Sequence, residues 1–186
     1  MTLRDLPNLI SLGRVCLVLP VVVLLVTERY GAALALFAVA GVSDFLDGFL
    51  AKRFGWTSRL GAILDPLADK ALLVSMYLAL GWLGLIPAWL VLAVIARDMV
   101  IVSGAVAYHF KIGRFETAPT VLSKVNTFVQ ILLALLVVFA QGVMPLPAFW
   151  ITALTWIVLA TTVASGASYV WTWSWRAWNA GRRKLK

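Results

Sequence analysis

The chain has 186 residues, 62% of them hydrophobic, and a formal net charge of +8. With a mean hydropathy of +0.95, it is more apolar than soluble domains, which run nearer half apolar, and it leaves no room for a separate soluble domain. The positive charge alone would fit nucleic acid or an anionic membrane surface; the apolar content decides for a membrane, and no nucleic acid partner is expected.

The predicted elements are all α. Residues 1–8, with Leu3, Arg4, Asp5 and Leu6, read as a short amphipathic lead-in along the membrane surface. Apolar stretches of the length that spans a bilayer, about 20 residues, fall near 8–27, 31–51, 61–82, 86–110, 121–141 and 148–173. They lack the alternation of a barrel strand. Residues 15–26 could pass for the core of a signal peptide, but 31–35 open a second apolar span instead of a polar mature chain. Cys16, the single cysteine, excludes an internal disulfide and a multi-cysteine zinc site and is read as a lipid-facing or core-packing residue.

The breaks alternate in charge. Glu28-Arg29-Tyr30-Gly31, Gly81 to Gly84 with Pro87, and Gln141-Gly142 with Pro145 and Pro147 are nearly uncharged turns. Lys52, Arg53 and Arg59, then Lys111, Arg114 and Lys124, then the terminal Arg182, Arg183, Lys184 and Lys186 are basic, as is Arg4. The positive-inside rule puts both termini and both basic loops in the cytoplasm. Trp171, Trp173, Trp175 and Trp178 read as an aromatic belt at the headgroup level. His109, the single histidine, reads as an interfacial, solvated side chain. The expectation is one membrane domain over 1–186.

Four of the eight acidic residues fall in one window: Asp44 and Asp47, then Asp65 and Asp69. Spacings of i,i+3 and i,i+4 put each pair on one helix face. The short basic loop makes the second and third helices antiparallel neighbours, so the pairs can converge. Carboxylates so close repel strongly at low dielectric, and a hard divalent cation is the simplest counter-charge. Pairing with Lys52, Arg53, Arg59 and Lys70 is the structural alternative, and an ion or proton pathway, as in a small transporter or channel, is another. The pathway reading suffers because the acids gather at one membrane face. Gly48, Ala51 and Gly61 accompany the acids and allow close backbone approach.

The pattern Asp44-x-x-Asp47-Gly48-x-x-Ala51-Lys52, eight residues, Gly61-x-x-x-Asp65-x-x-x-Asp69 resembles the signature of the CDP-alcohol phosphatidyltransferases. One position departs: Lys52 stands where the family usually has arginine, keeping the charge and losing the bidentate fork. The resemblance implies six transmembrane helices around a polar cavity open to the cytoplasm. It implies two magnesium or manganese ions on Asp44, Asp47, Asp65 and Asp69, with Asp69 also the general base. It implies CDP-diacylglycerol as donor, held by Gly48, Ala51, Lys52, Ser58 and Gly61, and a homodimer. The compact length favours a bacterial inner membrane as the expected location, with a processed mitochondrial chain as the alternative.

Polar groups elsewhere suggest an acceptor pocket: Arg14 in the first helix, Arg97 in the fourth, and Lys124 and Asn126 opening the fifth, near Gln130. Arg97 and Asp98, being adjacent, are expected to find partners elsewhere in the bundle. Within the family, LGAILDPLADKALL, Ala96-Arg97-Asp98 and Ser123-Lys124-Val125-Asn126-Thr127 look more like the CMP-forming cardiolipin synthases, which accept phosphatidylglycerol. The phosphatidylglycerophosphate synthases, which accept glycerol 3-phosphate, more often carry a second lysine at the position of Asn126, where a dianionic acceptor would use it.

Overall fold

The computed structural model describes residues 6–54, 61–112 and 120–183; within these, the side chains at 6–11, 44–45, 47–52, 54, 61–66, 105–112, 173–174 and 176–183 fall outside the description. Six helices form among the described residues: α1 (Leu6–Val26), α2 (Tyr30–Phe54), α3 (Gly61–Trp82), α4 (Ala88–Ile112), α5 (Val121–Gly142) and α6 (Ala148–Arg183). Of the expected lead-in, residues 6–8 already belong to α1, and 1–5 lie outside the described residues. The expected span at 148–173 is part of a longer helix: α6 runs for 36 residues, about 54 Å at 1.5 Å per residue. Neither proline nor glycine interrupts it between Gly166 and Gly181, so the tryptophan-rich stretch stays helical. Trp171 and Trp175 are exposed on it.

Val121–Gly142 and Ala148–Thr172 are long and apolar enough to cross a membrane, and Leu12–Val26 and Tyr30–Ser43 are shorter apolar stretches. The other helices carry charges inside their apolar runs, Asp65, Asp69 and Lys70 on α3 and Arg97 and Asp98 on α4.

Two of the nearly uncharged breaks are built as helix caps. After α1, Glu28 N–H bonds to Leu25 C=O and Arg29 N–H to Leu24 C=O, with Glu28 at φ 58°. After α3, Gly84 N–H bonds to Gly81 C=O and Leu85 N–H to Leu80 C=O, with Gly84 at φ 70°. Both are Schellman motifs, which favour glycine at the left-handed position. α5 opens on a cap: Thr120 Oγ1 accepts from the Ser123 backbone N–H at 3.2 Å.

The chain forms two compact units, one of 1–86 with 134–146, the other of 87–133 with 147–186. In the first, α1 packs against both α2 and α3. The antiparallel α2–α3 neighbourhood expected from the short loop is not seen as direct contact among the described residues; α1 is the helix that touches both. The buried stripes are Val21 and Leu25 on α1, Ala33, Phe37 and Ala40 on α2, and Ala68, Leu72, Met76 and Leu80 on α3. In the second, α4 packs against α6, burying Leu90, Val91 and Val94 with Leu154 and Val158. In each unit the buried stripe turns polar along its length: at Arg14 in the first, and at Arg97, Asn126, Gln130, Thr162 and Ser165 in the second. Helix periodicity continues through both changes.

Candidate active site

In the first unit, Arg14 lies one heptad before Val21, on the line of the apolar stripe of α1, and is only 2% exposed. Its guanidinium Nη1 donates to Oδ1 of Asp69 on α3. The Asp69 side chain is 50% exposed against 1% for Arg14, so the carboxylate stands at the edge of the core over a buried cation. An arginine inside an apolar helix is costly in a membrane, about 2.5–3.5 kcal/mol at the helix centre on insertion scales, and a carboxylate partner offsets that. Asp44 and Asp47 lie within α2, and Asp65 and Asp69 within α3, so each spacing is realised on helical backbone in the same unit. The side chains of Asp44, Asp47 and Asp65, with those of Ala51 and Lys52, lie outside the described ones, as do the surroundings of Gly48 and Gly61; Ser58 lies outside the described residues altogether. His109 belongs to α4, and its side chain is not among the described ones.

Among the described side chains, no three His, Cys, Asp or Glu residues come together, three of the four aspartates being outside that set. The donor that is described fits a hard divalent ion: Asp69 offers a carboxylate, half exposed, on a helix. Cys16, the soft donor nearest in sequence to Arg14, is free and exposed.

The second unit holds a buried polar cluster. Arg97, 5% exposed, is bonded to Asp98 Oδ1 at 2.7 Å, to Ser123 Oγ on α5 at 2.6 Å and to Ser165 Oγ on α6 at 2.6 Å. Its Cζ lies 6.0 Å from the centroid of the Tyr169 ring, within cation–π range. The expectation that Arg97 and Asp98 look elsewhere for partners is corrected in part: they pair with each other. Adjacent Cβ atoms diverge by about 100° on a helix, but the long arginine side chain turns back far enough to reach its neighbour, and its fork still serves Ser123 and Ser165. Arg97 Nε has no hydrogen-bond partner among the described residues. Asn126 is fully buried; its Oδ1 accepts from the hydroxyls of Thr161 and Thr162, each at 2.9 Å. Gln130 Nε2 donates to Thr162 Oγ1 at 3.3 Å. Lys124 is exposed at the start of α5.

Of the candidate acceptor residues, the structure thus brings Arg97 and Asn126 into one unit and one polar stripe, and ties Arg14 to Asp69 in the other. Thr161, Thr162, Ser165 and Tyr169 on α6 were not among the candidates. Their signal is in the sequence: 155, 162 and 169 are spaced by heptads, and 165 lies on the same face.

Residues 4–166 match the model of the family described as CDP-alcohol phosphatidyltransferase. The chain belongs to the CDP-alcohol phosphatidyltransferase family. It is 34% identical over 189 residues to the chloroplastic CDP-diacylglycerol–glycerol-3-phosphate 3-phosphatidyltransferase 1 of Oryza sativa subsp. japonica, an alignment covering 89% of this chain and 56% of that protein. It is 33% identical over 180 residues to the CMP-forming cardiolipin synthase of Rattus norvegicus, covering 88% of this chain and 60% of the relative. It is 37% identical over 99 residues to the CMP-forming cardiolipin synthase of Streptomyces coelicolor, covering 50% and 46%. The chain therefore spans little more than half the length of the first two relatives.

Proposed function

We infer that the protein transfers a phosphatidyl group from CDP-diacylglycerol to the hydroxyl of phosphatidylglycerol, releasing CMP and forming cardiolipin. The observation that carries this reading is the pair of aspartate spacings on helices of one unit, in a chain of this family. Asp44, Asp47, Asp65 and Asp69 would hold two magnesium or manganese ions, whose part is to neutralise the pyrophosphate of the donor. Gly48, Ala51, Lys52, Ser58 and Gly61 form the donor's binding segment. The Asp69 carboxylate takes the proton of the acceptor hydroxyl. The hydroxyl oxygen bonds to the phosphorus bearing diacylglycerol, the bond from that phosphorus to the bridging oxygen breaks, and CMP departs with the electron pair. Arg97 and Asn126, with Lys124, are the candidates for acceptor selection; Arg14, expected among them, is only 2% exposed and has little surface to offer an acceptor.

In this reading 1–186 is a single membrane domain with six spans around a cavity open to the cytoplasm, both termini cytoplasmic, in a bacterial inner membrane and as a homodimer. Charges within α3 and α4 do not argue against spanning, because ionisable residues inside membrane segments are functional candidates.

Glycerol 3-phosphate is the second reading for the acceptor, favoured by the similarity to the rice protein. The test is to offer each acceptor with CDP-diacylglycerol in mixed micelles and identify the lipid product by mass spectrometry. Cardiolipin from phosphatidylglycerol is the expected product; phosphatidylglycerophosphate alone would keep the class and replace the acceptor.

A further inference from the structure

The geometry points to Arg14 as the positioning residue of Asp69. Arg14 is nearly inaccessible, on the helix that packs against both aspartate-bearing helices. A substrate has little surface of it to touch. What Arg14 does touch is Oδ1 of Asp69, whose own side chain is half exposed. An aspartate at a helix edge has several open rotamers. A buried, planar, permanently charged donor under one carboxylate oxygen selects among them. Arg14 thus acts on the reaction through Asp69, fixing the direction from which that carboxylate meets a cation or a proton. Arg14 has interactions beyond this one. The inference rests on the transferase reading above.

The test compares Arg14→Lys and Arg14→Gln with the unaltered protein and with Asp69→Asn, all in detergent micelles. Two quantities are read: manganese binding by electron paramagnetic resonance, and kcat with KM for CDP-diacylglycerol. Lysine keeps the charge without the planar fork; glutamine keeps a donor without the charge. The expected result is weaker manganese binding in both variants. A fall in kcat of about tenfold for lysine and about 100-fold for glutamine should accompany it, on the scale of a misplaced catalytic group, with KM within about twofold. Manganese binding and kcat as in the unaltered protein, in a folded Arg14→Gln, would overturn the inference. If glutamine fails to fold, lysine decides by the same criteria; loss of folding in both would mark Arg14 as structural and also overturn it. An unaltered protein that releases no CMP with any acceptor would instead refute the transferase reading, a different outcome from active protein with indifferent Arg14 variants.

Discussion

Arg97 on α4 donates a buried hydrogen bond of 2.6 Å to Ser165 on α6, across the face along which those helices pack. The same guanidinium holds Asp98 and Ser123. Arg97→Ala leaves Asp98 without this cation and two hydroxyls without their donor. Removing one partner of a buried pair costs about 3–5 kcal/mol, so a large drop in thermal stability in detergent is expected. Arg97→Lys should lose less, since a lysine keeps the charge but cannot serve three acceptors from one planar fork.

Asn126 separates two threonines that look equivalent in sequence. Thr162 is buried and bonded to both Asn126 and Gln130. Thr161 bonds to Asn126 and also to the carbonyls of Ile157 and Val158 on its own helix. Thr162→Val should cost about 1–2 kcal/mol, near the upper end for polar contacts between membrane helices. Thr161→Val should cost less than about 0.5 kcal/mol, because Asn126 keeps a donor in Thr162. Unfolding midpoints of the two variants, measured side by side, check the order.

Gly142, at the end of α5, meets the start of α2 so closely that a Cβ there would lie 2.6 Å from Gly31 N and 2.8 Å from Tyr30 C and Cβ. None of these atoms can swing away. Gly142→Ala should destabilise by at least about 1–3 kcal/mol, the range for overpacking. The converse change is mild: a Cβ on Gly31 would meet Gly142 O at an ordinary 3.7 Å, so Gly31→Ala should leave the unfolding temperature unchanged or slightly raised.

Glu28 occupies with φ 58° the cap position that Gly84 fills with φ 70° after α3. A side chain in the left-handed region costs about 1–2 kcal/mol. Glu28→Gly should therefore raise stability by about 1 kcal/mol, and Gly84→Ala should lower it by a similar amount, both read from thermal unfolding.

Much of this was legible in the sequence, for identifiable reasons. The breaks at Glu28–Gly31, Gly81–Pro87 and Gln141–Pro147 stand out against long apolar runs, and the helices end there. The aspartate spacings were equally plain, because i,i+3 and i,i+4 are local features. What was not legible depends on contact between distant residues. Arg14 and Asp69 are 55 positions apart, and their pairing follows from which face of α1 meets α3. The Arg97–Asp98 pair escaped because face arguments follow Cβ directions, while an arginine reaches well beyond its Cβ. The continuation of α6 to Arg183 escaped because tryptophan and arginine mark a membrane surface without ending a helix.

The central claim is tested most directly by CMP release from CDP-diacylglycerol with phosphatidylglycerol as acceptor, in mixed micelles, with and without manganese or magnesium. Asp69→Asn serves as the control. The account predicts release that requires the metal, requires the acceptor, and falls at least about 100-fold in Asp69→Asn. Release unaffected by chelation, or equal in Asp69→Asn, would contradict it.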